Sequence, residues 1–434
     1  MKYFDTAILG AGWAGLLCAK RSNKITKRLV IIEKLPRKEF GGLLKSEIIN
    51  GLTFDTGGPH LLFSKDERLL HDVVSILSGN VRKLKRNNFV LYDGKYIPYP
   101  FENGIYKLKP EKRVKIAKGI IEKMLYVTKN PTLVPNTFLE WILDFFGDEM
   151  ANEYLIPYNK KIWKRPLDSM AADWIFTPGR LPFPQLEDVL KSAAGIPTIG
   201  YKEQSFFYYP KIGGIQALYN SLLKEVELNG AELIDNENIS KIDHEEDTFV
   251  INGKISAKNV INTAPLPEII TAIDNSKESM SIANQFDYNS VITVGVVVKR
   301  NHGKQLAVYV PDPKVIFHRY SWMSYLSPPK DKKFSNLIAE VTVPKGVQID
   351  IKNIEMKVLK DLVSIGAIHD ERDIILSKSW YNKYGYPIYI LNHNLIRDKA
   401  MSLLKNYNIK TVGRWGSWHY WNTDMVMKAV NENV

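Results

Sequence analysis

The first residues with recognisable chemistry are three glycines near the N-terminus, spaced as Gly10-x-Gly12-x-x-Gly15. The segment "YFDTAILGAGWAG" reads as a strand, a tight turn and the start of a helix, and "LVIIE" reads as a second strand that ends at Glu33. In such a unit the glycines let the backbone approach a pyrophosphate, the helix N-terminus attracts its charge, and the acid accepts a ribose hydroxyl. The pattern therefore predicts a dinucleotide-binding site.

A second group of small residues narrows the choice of dinucleotide. The pair Gly41-Gly42 follows the acid, and Gly58 precedes His60 in "GGPHLLF". Further along, "YYPKIGGIQALYN" reads as a glycine turn that opens a helix, and "ISAKNVINTAP" reads as a strand that ends in a small-residue turn. Together these segments resemble the FAD domain shared by amine oxidases, protoporphyrinogen oxidases, carotenoid desaturases and UDP-galactopyranose mutases. This resemblance implies a discontinuous FAD domain rather than an ordinary NAD dehydrogenase.

Two arginines stand in settings that suit an anionic ligand. Arg319 lies among aromatic residues in "FHRYSW", and Arg180 follows a turn after a helical segment. A guanidinium group can bind phosphate through two parallel hydrogen bonds, and tyrosine hydroxyls can complete such a site at low entropic cost. The combination favours a diphosphate ligand. Packing against aromatic rings is the alternative for Arg319, and a solvated surface charge is the alternative for Arg180.

The segment "GRWGSWHYWNTD", residues 413–424, concentrates aromatic rings almost at the C-terminus. Exposed aromatic surface of this size costs free energy and invites aggregation, so the segment must close over something. A flavin ring is one answer, and a hydrophobic cap without a ligand is the other.

These residues need several elements to position them. Segments with apolar residues at three- and four-residue spacing predict helices between about residues 110 and 195, and β-branched runs predict an antiparallel sheet over about 290–381. The predicted fold class is α/β, with a discontinuous Rossmann-like FAD-binding domain, a small helical domain and an antiparallel β-sheet domain. The predicted boundaries are 1–90, 205–270 and 400–434 for the FAD domain, 104–200 for the helical domain, and 91–103 and 271–399 for the sheet and substrate domain.

Composition restricts the remaining classes of function. The formal net charge is +12, spread along the chain, which favours an anionic ligand over a nucleic-acid arm; a solvated basic surface is the alternative. The sequence lacks an apolar run of the roughly 18 residues that a membrane helix needs, and its start does not read as a signal peptide. Cys18 is the single cysteine, so the sequence offers no cysteine cluster for a metal. A cytoplasmic enzyme is expected, and self-association into a homo-oligomer stays open.

Motifs along nearly the whole chain narrow the resemblance to one family. "IPYPFENGI", "IPYNKKIWKRPLDSMAADWIFTPGR", "FHRYSWMSYLSP", "KYGYPIY" and "GRWGSWHYWNTD" are similar, in this order, to segments of the UDP-galactopyranose mutases, especially the eukaryotic type. The segment "GPHLLF" is similar to one in the bacterial type. The family's motifs concern sugar-nucleotide handling and not only FAD binding.

The resemblance assigns roles to individual residues. The residues implied as catalytic are His60, Arg180, Arg319 and Arg414. The residues implied in cofactor binding are Gly10, Gly12, Trp13, Ala14, Gly15, Glu33, Lys34, Gly41, Gly42, Leu43, Gly58, Gly413, Arg414, Asn422, Thr423 and Asp424. The residues implied in substrate binding are Phe63, Tyr99, Phe101, Glu102, Asn159, Trp163, Arg180, Gln204, Tyr309, Arg319, Tyr386, Tyr420 and Asn422.

Within these sets, some contacts are more specific than others. Tyr309, Tyr386 and Tyr420 match phosphate contacts, and Asn159 with Trp163 match ribose contacts four residues apart on one helix face. Two positions depart from the family. Glu102 stands where the eukaryotic type usually has glutamine, and Gln204 replaces an asparagine that contacts the sugar, so the base and the sugar are less certain than the diphosphate.

The family's activity implies that reduced FAD acts as a nucleophile at the anomeric carbon of a UDP-sugar, which interconverts pyranose and furanose forms. NAD(P)H is the expected reductant, although a second glycine-rich nucleotide motif is not visible. Two rivals remain. An FAD oxidase or desaturase explains the FAD domain but not the arginines and tyrosines, and a non-enzymatic binder resembling the GDP-dissociation inhibitors would lack FAD.

Overall fold

The structure is a computed structural model that describes residues 1–23, 26–130, 134–176, 184–198, 200, 205–245, 247–299 and 305–434. Its strands are β1 (Lys2–Leu9), β2 (Leu29–Ile32), β3 (Ser46–Ile49), β4 (Leu52–Asp55), β5 (Val81–Lys85), β6 (Asn88–Tyr92), β7 (Lys95–Pro98), β8 (Phe206–Pro210), β9 (Glu232–Ile234), β10 (Ile242–Glu245), β11 (Thr248–Ile251), β12 (Ile255–Asn262), β13 (Tyr288–Lys299), β14 (Ala307–Tyr309), β15 (Arg319–Trp322), β16 (Phe334–Pro344), β17 (Ile374–Pro387) and β18 (Lys410–Thr411).

Helices surround these strands, and short 3₁₀ turns connect some of them. The α-helices are α1 (Trp13–Ser22), α2 (Glu67–Ser75), α3 (Phe101–Gly104), α4 (Pro110–Lys129), α5 (Phe138–Met150), α6 (Ile156–Trp163), α7 (Leu186–Ala193), α8 (Gln216–Leu228), α9 (Leu266–Ile273), α10 (Lys277–Gln285), α11 (Met323–Leu326), α12 (Ile351–Ser364), α13 (His393–Asn406) and α14 (Thr423–Asn433).

The first large sheet forms the Rossmann-like part of the molecule. Within the described ranges its strand order is β10-β11-β12-β1-β2-β9, with β18 paired to β12. The pairs that involve β1, β2, β9 and β18 are parallel. The β2 residues are all buried, because helices and loops cover both faces of a parallel sheet and leave no polar side for its strands.

The turn after β1 brings α1 very close to the sheet. Gly10 has a φ of +95°, a conformation that suits glycine. At Gly15, a Cβ atom would lie 2.0 Å from the carbonyl oxygen of Gly10 and 3.1 Å from Oγ1 of Thr263. Gly12 differs, since a Cβ atom there would meet no heavy atom within 4 Å. Gly10 therefore provides the predicted tight turn, and Gly15 provides the predicted close packing of the helix on the strand.

The second large sheet has the strand order β17-β13-β16-β15-β14-β6-β7. It is antiparallel as predicted, except that β14 pairs with β6 in parallel. The strands β6 and β7, residues 88–98, belong to this sheet. The last residues of the predicted FAD segment 1–90 therefore lie in the sheet predicted for the substrate domain. The domain boundaries themselves stay a prediction.

The register of this sheet brings a cation and an anion together. Arg319 on β15 lies opposite Glu340 on β16, and Thr293 on β13 lies opposite Glu340 from the other side. Glu340 is the single charged residue within the mostly apolar run "NLIAEVTVP", and its side chain is buried. An acid enclosed in this way requires a positive partner.

The predicted helices between residues 110 and 195 are present, but the long central one is interrupted. Thr137 and Glu140 form a capping box at the start of α5. Gly147 then has non-helical angles, with a φ of +73°, and it lies against Gly119 of α4, where a Cβ atom on Gly147 would come within 2.9 Å. A π-helical turn over Ala151–Leu155 joins α5 to α6. These breaks set the direction of α6, which carries several of the predicted substrate residues.

Gly15, within α1, and Gly12, at the N-cap of α1, give a matched test of this packing. Gly15→Ala should lower the thermal unfolding midpoint of the apoprotein, because its methyl group overlaps the Gly10 carbonyl; an overpacked site of this kind costs about 1–3 kcal/mol. Gly12→Ala should leave the midpoint of the apoprotein close to the wild-type value. Equal midpoints for the two variants would contradict the packing described here.

Candidate functional site

A cavity of about 490 Å³ begins at the glycine turn and reaches the C-terminal aromatic segment. Its walls come from the turn after β1, the end of β2, the loop before β3, the turn after β12, part of β17 and the start of α14. The predicted cofactor residues that line it are Gly10, Gly12, Trp13, Ala14, Glu33, Lys34, Gly41, Gly42, Leu43, Arg414, Asn422 and Thr423. The structure thus brings together residues from both ends of the chain.

The remaining predicted cofactor residues lie behind this wall. Gly15 packs on Gly10, and a Cβ atom at Gly413 would come within 2.5 Å of the Ala14 methyl group. Gly58 lies against Glu340, and Asp424 is buried in the first turn of α14. These residues shape the cavity without being part of its lining.

Glu33 is held at the end of β2 by two backbone donors. The Ala11 N–H donates to its Oε2 at 2.9 Å, and the Leu35 N–H donates to its Oε1 at 3.1 Å. The carboxylate still lines the cavity. This placement suits the predicted contact with a ribose hydroxyl, since each carboxylate oxygen can accept more than one hydrogen bond.

The C-terminal aromatic segment divides into a core side and a cavity side. Trp418 is fully buried and packs on Phe286 and Trp415, with ring centroids 4.9 and 5.1 Å apart. Trp415 and Trp421 line the cavity, and Trp421 stacks on His419 at 4.7 Å. The segment therefore closes over the cavity while one of its rings anchors it in the core.

His60 also lines the cavity, and its protonation state follows from its surroundings. Its Nδ1 donates to the Gly58 carbonyl oxygen at 2.8 Å, which leaves Nε2 as the acceptor in the neutral ring. Burial lowers the pKa of His60 to about 4, the positive charges of Arg414 and Arg319 contribute in the same direction, and the Gly58 carbonyl opposes them. His60 is therefore neutral near pH 7.

Arg319 forms a two-point ion pair with Glu340. Its Nε and one terminal nitrogen donate to the two carboxylate oxygens, each at 2.8 Å, and the Glu340 side chain is 1% exposed. Burial acts to lower the pKa of Arg319, but the Glu340 charge outweighs it and the pKa lies above its ordinary value. The guanidinium carbon also lies 6.0 Å from the centre of the Tyr309 ring. Sequence reasoning missed Glu340, although an acid in an apolar strand was an available signal.

Arg414 connects the cavity to the tyrosines. A terminal nitrogen donates to the Gly385 carbonyl, and the guanidinium carbon lies 4.5 Å from the Tyr420 ring centre and 5.8 Å from that of Tyr386. The two tyrosine rings are 5.3 Å apart. Arg414 is part of the cavity lining as well. One cation thus borders both the dinucleotide cavity and the predicted phosphate site.

The predicted nucleoside residues form the far wall of this cluster. Tyr99 lies against Tyr309 with ring centroids 4.7 Å apart, and Tyr158, which sequence reasoning missed, lies 5.5 Å from Tyr309. Trp163 donates from Nε1 to Oδ1 of Asn159 at 3.0 Å, as their four-residue spacing allows. Trp163 in turn packs edge-on against the same Tyr386–Tyr420 pair, at 5.9 and 6.0 Å.

Other predicted substrate residues have different surroundings. The Phe101 ring is fully buried and stacks on Tyr154 at 4.9 Å, so its side chain belongs to the core. Glu102 is 5% exposed. Phe63 lies 4.9 Å from the guanidinium carbon of Arg86, a cation near the site that sequence reasoning did not select. Arg180 and Gln204 lie outside the described residues.

Two classes of feature are absent from the part of the chain that the structure describes. It has no group of three or more His, Cys, Asp or Glu side chains that could hold a metal ion. None of its helices is long and apolar enough to cross a membrane.

Comparison with known proteins gives the same picture of the fold. A family model described as an NAD(P)-binding Rossmann-like domain matches residues 8–77. Among solved structures, a reduced UDP-galactopyranose mutase has a TM-score of 0.86 at 23% identity, and the match covers 99% of this chain and 93% of that chain. This chain has its fold.

Enzymes with other activities share that fold with it. A fatty acid isomerase from P. acnes has a TM-score of 0.68 at 15% identity, covering 99% of this chain and 97% of that one. A putrescine oxidase variant has a TM-score of 0.65 at 16% identity, covering 99% and 98%. The predicted fold and the resemblance at the level of fold are therefore confirmed. Because proteins with this fold have different activities, function has to be argued from the residues of the site.

Three histidines with lowered pKa values, His60, His393 and His419, predict a stability that depends on pH. Burial is the main cause that lowers the pKa of His60 and His419 to about 4 and that of His393 to about 3, all below the usual value of about 6.5. At a pH between these lowered pKa values and about 6.5, the three histidines bind more protons in the unfolded chain than in the folded one. The free energy of unfolding should therefore fall as the pH falls below about 6.5. Burial raises the pKa of Asp55 to about 6. This one carboxyl group binds a proton more readily in the folded chain, so it partly offsets the loss of stability as the pH falls.

The measurement is the thermal unfolding midpoint at pH 7 and at pH 5. The midpoint should be lower at pH 5, and His393→Phe should reduce the difference between the two values. A midpoint that is constant or higher at pH 5 would contradict this account of the buried imidazoles.

Proposed function

We propose that the protein is a flavin-dependent isomerase of the UDP-galactopyranose mutase type, which interconverts the pyranose and furanose forms of a UDP-sugar. The observation that carries the proposal is the cluster formed by Arg319, Arg414, Tyr309, Tyr386 and Tyr420 beside the dinucleotide cavity. Partly buried arginines with tyrosine hydroxyls suit a diphosphate. A site for an amine or a polyprenoid gives no reason for this set.

The cavity has the features that a dinucleotide requires. The Cβ direction of Gly12 is open, the start of α1 faces the cavity, and Glu33 stands at the end of β2. FAD would be held by these residues at one end and by Trp421, Asn422 and Thr423 at the other. When reduced and bound, FAD would supply a nucleophilic nitrogen for the anomeric carbon of the sugar. NAD(P)H is the proposed reductant.

The chain's own residues have to retain the diphosphate while its bond to the sugar is broken. Arg319 keeps its orientation through Glu340, and its remaining donor groups can bind phosphate. Arg414 lies between the cavity and the tyrosine pair, where it can neutralise charge that develops on the leaving group. Aromatic rings lie near both cations, and reduced contact with water would strengthen these interactions.

Two further groups adjust the charge around the cofactor. The first turn of α14 borders the cavity through Thr423, and the partial positive charge of a helix N-terminus favours a negative charge on the cofactor. His60 is neutral and offers Nε2 as an acceptor at the cavity wall. The described residues thus provide cations for the phosphates and an uncharged imidazole beside the cofactor.

The direct test is an anaerobic assay on the purified protein. Its flavin is reduced with dithionite, UDP-galactofuranose is added, and UDP-galactopyranose is followed by chromatography with an oxidised control. Conversion only in the reduced sample is the expected result. UDP binding without conversion would point to another sugar, and a yellow protein without UDP binding would favour an oxidase.

Substitutions at Arg319 test the diphosphate assignment. Arg319→Ala should weaken UDP binding by about one to two orders of magnitude, since a hydrogen bond to a charged group contributes about 1.5–3 kcal/mol. FAD content should not change. Titration calorimetry with UDP measures the effect, and Arg372→Ala, which alters an exposed Arg–Asp pair, is the control.

The buried Glu340 requires one more variant. Arg319→Ala removes the ion pair of the Glu340 carboxylate, which by itself can destabilise the protein. In Arg319→Ala/Glu340→Gln that buried charge is also removed, so the double variant separates a loss of stability from a loss of UDP binding. UDP affinity equal to that of wild type in both variants would overturn the role proposed for Arg319.

A further inference from the structure

Lys161 is a buried lysine on the helix that forms one wall of the proposed site. The residue is 7% exposed and belongs to α6, which also carries Tyr158, Asn159 and Trp163. Burying a lysine costs free energy through the loss of hydration, and a methionine would fill a similar volume without that cost. The amine must therefore contribute something that packing does not.

The amine connects α6 to the opposite wall. Its Nζ donates to the carbonyl oxygen of Val310 at 2.8 Å and to that of Asp312 at 2.7 Å. Val310 directly follows Tyr309, the last residue of β14, and its N–H donates to the His318 carbonyl next to Arg319. Lys161 thus reaches the turn between the two strands that carry Tyr309 and Arg319.

This contact does not depend on a positive charge. Burial lowers the pKa of Lys161 to about 7; Asp312 and Asp361 oppose this shift, and Lys164 adds to it. A neutral amine still has two N–H groups, and the two carbonyl oxygens accept both. The bridge can therefore persist in either protonation state near neutral pH.

Other contacts hold the same helix end on a different strand. Nδ2 of Asn289 on β13 donates to the carbonyls of Ile162 and Trp163 at 3.0 and 2.8 Å. Arg165 pairs with Asp287 through two hydrogen bonds of 2.8 and 2.7 Å. These contacts fix α6 relative to β13, whereas the Lys161 bridge fixes it relative to the β14–β15 turn.

We propose that Lys161 is a positioning residue that sets the separation between the α6 wall and the Tyr309 wall of the nucleotide-sugar site. The inference rests on the proposed function for its ligand, but the bridge itself is a property of the free protein. Tyr158 and Tyr309 face each other across this junction, at 5.5 Å between ring centroids. A change in the bridge would move the contacts on both sides of the ligand.

The first experiment measures UDP binding to flavin-loaded Lys161→Met. Its affinity should fall by about tenfold or more, equivalent to about 1.4 kcal/mol, with FAD content unchanged. Lys160→Met is the matched control, because Lys160 is the exposed neighbour on the same helix. Lys161→Gln keeps two N–H groups on one nitrogen with one bond less of reach, so its affinity should lie between those of wild type and Lys161→Met.

A double-mutant cycle separates positioning from general loss of stability. Tyr309→Phe should weaken UDP binding in the wild type and in Lys160→Met, but much less in Lys161→Met, where the tyrosine is already displaced. If Tyr309→Phe weakens UDP binding as much in Lys161→Met as in the wild type, the two effects are additive and the positioning role is overturned.

Hydrogen exchange on the free protein gives a readout that needs no ligand. Lys161→Met should increase amide exchange in residues 156–163 and 309–312, with little change in residues 2–22, whereas Lys160→Met should not. Unchanged exchange in both segments would overturn the proposal. If the wild type does not bind UDP, the proposed function fails, and the exchange result still decides whether Lys161 joins the two walls.

Discussion

The candidate site depends on holding a partly buried cation, Arg319, in a fixed orientation. The Arg319 side chain is only 23% exposed and lies near the Tyr309 ring, and a guanidinium in that setting needs an anion or a set of acceptors. Glu340 supplies two carboxylate oxygens from the neighbouring strand, in a register that places the two side chains directly opposite each other. The same carboxylate lies against Gly58, two residues before His60. One ion pair therefore connects the sheet, the predicted phosphate site and the loop beside the cavity.

Around this pair the site is assembled from elements that are distant in sequence. The glycine turn and β2 form one end of the cavity, and residues 413–424 close the other. The helix α6 reaches the tyrosines because Gly147 and a π-helical turn redirect the chain before it. Asn289 and Lys161 then fasten α6 to two separate parts of the sheet. Precise placement at this junction comes from polar contacts to backbone carbonyls, which are directional in a way that ring packing is not.

The fold alone leaves the activity open, because an isomerase of fatty acids and an oxidase of putrescine share it with a UDP-galactopyranose mutase. Charge distinguishes these possibilities. The cluster of Arg319 and Arg414 with three tyrosines offers guanidinium and hydroxyl donors that an anionic ligand can use and an apolar substrate cannot. This set of donors is the physical basis for proposing an anionic ligand.

The sequence by itself determined the elements whose signals are local. The glycines of the first turn, the acid at the end of β2 and the helical periodicity of α4 and α6 all depend on neighbours within a few residues, and each lies where it was predicted. The spacing of Asn159 and Trp163 also correctly placed both side chains on one helix face, where they hydrogen-bond to each other.

Tertiary structure decided the pairings between remote segments. Glu340 lies 21 positions after Arg319, and Lys161 lies far from Val310 in the chain, so no local pattern indicates either partner. The parallel pairing of β14 with β6 and the burial of Phe101 likewise follow from how separate segments pack. Strand register and side-chain burial are properties of the assembled sheet and core, because they depend on which surfaces meet after the chain has folded.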